Sequence, residues 1–150
     1  MKPFPHDYAV NVSASPVGDL EMRASGVPVF LTAAPVEFDG PGNRWSPETP
    51  LVAAVGDCFV LTFRAVAARM ELPWTSVRCE VRGILERKDG LAQFTAFTIH
   101  TELMLLPGAS AETARRALVK SKDGCLIANS LKAVSRLEME IETVVFPRTA

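Results

Sequence analysis

The residues of this chain best able to do chemistry are its three cysteines, Cys58, Cys79 and Cys125. A thiolate is a nucleophile, a metal ligand and a redox centre, and its local charge decides which. Cys125 follows Gly124 at an expected helix start, where backbone N–H groups favour a thiolate. Cys58 sits in the middle of a long apolar stretch. By default a thiol there is core filling; the chemical alternative is a redox pair with Cys125. Cys79 lies on the apolar face of an expected strand and reads as a small hydrophobe. Metal binding is the weaker use. His6 and His100 are the only histidines, and the chain has no Cys-x-x-Cys or His-x-x-x-His pattern. An odd cysteine count and a start, MKPFPHDY, without an apolar run point away from a disulfide framework. They lead us to expect reduced thiols and a cytoplasmic protein.

The element that must position Cys58 is SPETPLVAAVGDCFVLTFRAVAARMEL, Ser46 to Leu72. Ser46 suits a helix N-cap and Pro47 its first turn, and Glu48 complements the positive helix start. From Leu51 to Phe63 the only charge is Asp57. Such a helix is expected to be buried on every side. The same stretch reads as too short and too interrupted for a membrane span, with Arg64 and Arg69 following at once. Phe59, Phe63 and Val66 read as core or as an apolar collar around a ligand. Trp45 and Trp74, at the helix ends, read as packing residues first and pocket walls second.

The elements around this helix follow from periodicity and turn chemistry. Residues 7 to 14 alternate as a strand, Pro16-Val17-Gly18-Asp19 is a turn, and Leu20 to Ala24 and Val27 to Thr32 form two short strands. Ala33 to Trp45, with Pro35, Gly40, Pro41 and Gly42, is a loop. After Leu72-Pro73, Trp74 to Lys88 puts Val77, Cys79 and Val81 on one face and Arg78, Glu80 and Arg82 on the other. Asp89-Gly90 is a hairpin turn. Leu91 to Leu106 is the returning strand, with Phe97, Ile99, Leu103 and Leu105 on one face, and such a pair buries one face only. Ser110 to Lys122 is an amphipathic helix stopped by Asp123-Gly124. Cys125 to Val134 reads as a short helix with Asn129 and Ser130 near the thiol, and Lys132 as a surface residue. Arg136 to Val145 is a last strand, with Leu137, Met139, Ile141 and Val145 on one face. The order βββ–α–ββ–α–α–β is not a strict alternation, so the class is α+β.

Length and charge set the outer bounds. One domain spanning residues 1–150 is expected, and a chain of this size buries roughly 70% of its unfolded surface. With 16 Lys and Arg against 17 Asp and Glu, nothing favours a nucleic-acid partner.

Taken together, SPETPLVAAVGDCF, the later GCLIANSLKA and the final alternating strand resemble the OsmC/Ohr family, the osmotically inducible protein C-like organic hydroperoxide reductases. The hairpin about Asp89-Gly90 with FTAFTIHTEL after it also fits. The resemblance runs over residues 8 to 145 and rests on Pro47-Glu48, Cys58-Phe59 and Cys125 in that order. It implies a β-sheet wrapped on a long central helix, in an intertwined homodimer with its sites at the interface. It further implies that Cys58 attacks an organic hydroperoxide and becomes a sulfenic acid. Cys125 then closes a disulfide, and an external dithiol of the lipoyl type, with no bound cofactor, reopens it. Glu48 would match the active-site glutamate that positions the partner of the thiolate.

Helix geometry bears on Glu48. Ten positions from Cys58 correspond to about 15 Å along a helix and roughly 80° around it. Either the helix breaks near Gly56, or Glu48 serves a site built with a second chain. Two departures from the family pattern stand out. Leu20 occupies the place of an active-site arginine, so Arg23, or Arg44 in the loop before the helix, is the candidate replacement. Asp57 directly precedes Cys58, and a carboxylate disfavours a thiolate when its charge is near. Neighbouring helix positions point about 100° apart, which would turn Asp57 away. A non-catalytic or thiol-sensing member of the same fold is the alternative. A structural dimer with its cysteines as filling is a further one.

Overall fold

The computed structural model describes residues 3–145. The chain falls into two compact units, one ending at Leu51 and the other starting at Val52. The first holds a three-stranded antiparallel sheet, β1 (Asn11–Ser13), β2 (Leu20–Arg23) and β3 (Phe30–Thr32), with β2 central. The strand expected over residues 7 to 14 is limited to Asn11–Ser13 and is exposed throughout. Of β2, only Glu21 to Arg23 pair with β1, so the ladder between them is three residues long. The proline- and glycine-rich loop contains one 3-10 turn, Val36–Phe38. Beyond it, Trp45 bridges to Thr32.

Helix α1 runs from Glu48 to Arg69 without a break at Gly56. Its start shows half of a capping box: the Ser46 N–H donates to Thr49 Oγ1 at 3.2 Å. Pro47 and Pro50 fall among the first backbone nitrogens, which lack helical acceptors in any case. The helix ends in a Schellman arrangement. Leu72 N–H donates to the Ala67 carbonyl at 3.0 Å and Glu71 N–H to that of Ala68 at 3.2 Å. Glu71 is left-handed there, with φ of 49°.

Burial corrects one expectation. Only Val55, Phe59, Phe63 and Ala67 of α1 are fully covered, a single face at i, i+4 spacing. Leu61, on another side, is 53% exposed. One chain supplies one layer for the helix to lie on, so the other sides stay open. A second correction concerns length: at 22 residues and with a hydropathy of 1.8, α1 is long and apolar enough by composition to cross a membrane. Its buried face belongs to the protein core, which is how an apolar core helix uses that composition.

The second sheet is β4 (Trp74–Lys88), β5 (Leu91–Leu105) and β6 (Val134–Thr143), with β5 central. β4 and β5 are antiparallel and close through Asp89-Gly90, both at positive φ, as a two-residue hairpin requires. β6 runs parallel to β5. The return needs a crossover, supplied by α2 (Ala111–Asp123) and α3 (Leu126–Asn129). Ser110 caps α2, its hydroxyl accepting from Thr113 N–H at 3.2 Å. Helix α3 is shorter than its apolar run suggests, because Val134 already pairs with Ala96 in the sheet. The last strand likewise ends at Thr143, and Val145 is exposed. Phe97, Ile99, Leu103 and Leu105 form the buried file of β5, as expected, with Thr101 among them. This file, the buried face of α1, and Ala114, Ala117 and Leu118 of α2 make one continuous core. Phe63 and Trp74 meet edge to face at 5.3 Å within it.

Candidate functional site

The three thiols meet at one turn of α1. Cys125 is fully buried, and its Sγ donates to the Val55 carbonyl oxygen at 3.7 Å. The Cys58 thiol, one turn further along, is a hydrogen-bonding neighbour of Cys125, and its charge opposes ionisation of Cys125. Cys79 reaches the same turn from β4: a Cβ built at Gly56 would lie 3.8 Å from Cys79 Sγ. That Cβ would also lie 3.0 Å from Val81 Cγ2, so glycine is what lets the strand approach here. Cys79 in turn feels the charge of Cys125. Cys125 therefore interacts with both of the other thiols.

Local sequence explains each placement. Cys58 is half-buried, and the following turn is tied to it by Thr62 Oγ1, which donates to the Cys58 carbonyl at 2.7 Å. Cys125 is the N-cap residue of α3. It reaches α1 because Gly124 permits close contact: a Cβ at Gly124 would lie 3.2 Å from the Lys120 carbonyl and 3.3 Å from Thr62 Cγ2. The φ of Gly124 is −89°, so this glycine is used for space and not for a left-handed cap. Cys79 pairs in register with Thr101 of β5.

The electrostatics differ from the expectation for Cys125. Burial dominates and raises its pKa; the Ala128 N–H lowers it, Cys58 raises it, and the Ile127 N–H lowers it again. The net shift is upward, because one short turn of helix cannot offset complete desolvation. The two N–H groups favour the thiolate without closing a well-formed cap hydrogen bond. Cys79 is pushed up from 9.0 to about 11, first by burial, with the Thr101 hydroxyl opposing and Cys125 adding to the rise. Thr101 Oγ1 is buried and has no well-formed hydrogen bond of its own among the described residues. It leans on the thiol without a good bonding geometry.

The remaining predicted residues lie in the first unit. Arg23 pairs with Glu21 on the exposed side of β2. Arg44 donates through Nε to Asp19 at 2.6 Å and through Nη1 to the Asn43 carbonyl. Glu48 stands in the first turn of α1, and its Oε2 is buried without a hydrogen-bond partner among the described residues. Among the groups acting on Cys79 and Cys125, no arginine or lysine is present. Asp57 is exposed. No group of His, Cys, Asp and Glu among the described residues could hold a metal ion. Sequence reasoning missed Cys79 as a member of the cluster. The available signal was Gly56, a glycine inside an apolar helix, which marks a close approach.

A strand hairpin packed with a long helix and crossover helices is a fold that solved structures share. An OsmC-like protein from Vibrio cholerae superposes with a TM-score of 0.79 at 18% identity, over 91% of this chain and 99% of the other. An organic hydroperoxide resistance protein OsmC from Legionella pneumophila gives 0.70 at 18% identity, over 95% and 100%. A Bacillus subtilis protein, the uncharacterized YmaD, is 25% identical over 127 residues, 83% of each chain. Residues 40–140 match the family model for OsmC-like proteins. The chain belongs to the OsmC-like protein family.

Proposed function

We propose that the protein reduces organic hydroperoxides with Cys58 and Cys125 as its working thiols. The observation that supports this most is the contact between the two thiols, brought together from α1 and the cap of α3. The Cys58 thiolate attacks the distal peroxide oxygen. The O–O bond breaks, the alcohol leaves with a proton, and Cys58 becomes a sulfenic acid. Cys125 then attacks the Cys58 sulfur, water leaves, and a disulfide forms. An external dithiol, of the lipoyl type in our reading, returns both thiols and is itself oxidised to a disulfide. The protein carries no cofactor of its own in this cycle and works in the cytoplasm.

The functional unit in this proposal is a homodimer. Leu61 and Leu126, 53% and 67% exposed, are apolar surface that a second copy would cover. With α1 unbroken, the reading left for Glu48 is service to a site shared between two chains. Its buried, unpartnered oxygen is an acceptor suited to a donor from outside the chain, such as a guanidinium held beside Cys58. Arg23 and Arg44 are the candidates to supply it.

A steady-state assay with cumene hydroperoxide and dihydrolipoamide tests the proposal. Turnover by the native protein that disappears in Cys58→Ser supports it. Equal rates for the two proteins end it. The raised pKa of Cys125, with no cation among the described residues that act on it, favours a second reading, a thiol sensor that forms the disulfide once and turns over slowly. Stoichiometric disulfide formation without sustained peroxide loss would select that reading.

A further inference from the structure

We infer that Cys79 is a second destination for the disulfide: its sulfur attacks Cys125 in the Cys58–Cys125 bridge and releases Cys58. This rests on the thiol cycle proposed above and extends it by a third cysteine. Cys125 is the thiol linked to both of the others, as the central sulfur of the exchange must be. In thiol–disulfide exchange the attacking, central and leaving sulfurs lie in a row. Cys125 interacts with both Cys58 and Cys79. Independent contacts put Cys79 and Cys125 on the same helical turn. Cys125 Sγ lies on the Val55 carbonyl, and Cys79 Sγ would lie 3.8 Å from a Cβ at the adjoining Gly56, where the missing side chain lets β4 approach. Thr101 adds a further observation. Its hydroxyl is completely buried, lacks a well-formed hydrogen bond, and stands across from Cys79 in the β4–β5 register. A donor in that position stabilises negative sulfur there when the proton leaves.

The step balances without an outside oxidant or reductant. Cys79 loses its proton to water, and its sulfur bonds to Cys125 Sγ. The Cys58–Cys125 bond breaks, and Cys58 leaves with the electron pair and takes up a proton. One thiol and one disulfide stand on each side. At equilibrium a disulfide settles on the thiols that hold their protons most tightly, and the desolvated Cys79 is such a thiol. Kinetics makes the step slow near neutral pH, since Cys79 is protonated until about pH 11. The consequence is storage. The protein keeps one oxidising equivalent in Cys79–Cys125 while presenting Cys58 reduced to a further peroxide.

Loading the full-length protein with diamide, not with peroxide, keeps this inference separate from the peroxidase proposal, which the turnover assay tests alone. Samples taken over time are quenched with acid, alkylated and mapped by non-reducing peptide mass spectrometry. The expected result is Cys58–Cys125 first, then Cys79–Cys125 with Cys58 alkylated, the conversion speeding up about tenfold per pH unit from pH 7 to 9. Cys79→Ala should stay at the first disulfide. Cys58→Ser treated with diamide should form Cys79–Cys125 directly, which tests the reach of the two sulfurs whatever the chemistry of Cys58. A native protein that stays at Cys58–Cys125 for hours at pH 9 overturns the inference. So does a Cys58→Ser variant that forms no Cys79–Cys125 bond. Full-yield Cys79–Cys125 at the earliest time, insensitive to pH, also overturns it, because transfer then plays no part.

Discussion

Cys125 donates its thiol to the Val55 carbonyl at 3.7 Å, so the cap of one short helix hangs on the side of another. The acceptor belongs to α1, three residues before Cys58. This contact fixes the Cys125 sulfur and predicts how it can be replaced. A serine hydroxyl is a stronger donor than a thiol and keeps the same partner. Cys125→Ser should therefore fold, at a cost of about 1–3 kcal/mol for burying the hydroxyl, and lose resolution. Cys58 should still be oxidised by one equivalent of cumene hydroperoxide, and its sulfenic acid should persist long enough to be captured by dimedone. Dithiol-driven turnover should fall by about tenfold or more. Native turnover in this variant, or no dimedone adduct, would show that Cys125 does not resolve Cys58.

The raised pKa of Cys79 sets a direction for stability in alkali. The thiol ionises at about 11 in the folded chain against 9.0 for the ordinary group. Between those values the unfolded chain has lost the proton and the folded chain still holds it. The unfolded state thus binds fewer protons, and stability falls as pH rises through that window. Below pH 9 the contribution is constant. Cys79→Ala should remove this part of the decline, visible as a flatter plot of urea midpoint against pH between 9 and 11. Superimposable slopes would mean that the Cys79 thiol is no more desolvated than in the unfolded chain.

Glu71 closes α1 in a left-handed conformation that a residue with a Cβ enters at a cost. The Schellman hydrogen bonds from Leu72 and Glu71 depend on that conformation and not on the side chain. Glu71→Gly should stabilise the fold by about 1 kcal/mol, read as a higher urea midpoint with an unchanged slope. A lower midpoint would show that the carboxylate contributes more than the backbone strain removes.

Most of the second unit was legible because its signals are local. Asp89-Gly90 demands a two-residue hairpin, and the strands on either side alternate cleanly, so β4, β5 and their inward faces follow from sequence. Ser110 and Glu112 mark the start of α2 in the same way. The misread parts depend on distant partners. Alternation over residues 7 to 14 says nothing of how far a neighbouring strand extends, and β1 stops where β2 does. The end of α3 is set by the pairing of Val134 with Ala96, which no local propensity records. The burial of α1 was overestimated because hydropathy reports what a surface prefers, not what one chain can cover. At the candidate site, Cys58 and Cys125 were singled out by their resemblance to the family pattern, in which order and neighbouring residues count. Cys79 was passed over because a thiol on an apolar strand face looks the same whether it packs on leucine or on another thiol.

Two glycines hold the helix close to the sheet, and they should respond differently to a methyl group. At Gly83 in β4 a Cβ would lie 2.8 Å from Phe94 Cε1 and 2.9 Å from Val52 Cγ2, squeezed between the neighbouring strand and α1. Both atoms belong to side chains packed on the core, so neither can retreat freely. Gly83→Ala should cost about 1–3 kcal/mol, the usual range for overpacking. At Gly56 the nearest atom is Val81 Cγ2 at 3.0 Å, and alanine gains about 1 kcal/mol of helix propensity over glycine. Gly56→Ala should therefore come out nearer to neutral. Removing the Val52 methyl groups relieves one side of the Gly83 clash. The double variant Gly83→Ala with Val52→Ala should then lose less than the two single losses summed, by about 1 kcal/mol. Urea denaturation of the four proteins measures that coupling. Strict additivity would mean that the α1–β4 spacing adjusts without strain and that Gly83 is not required for the approach.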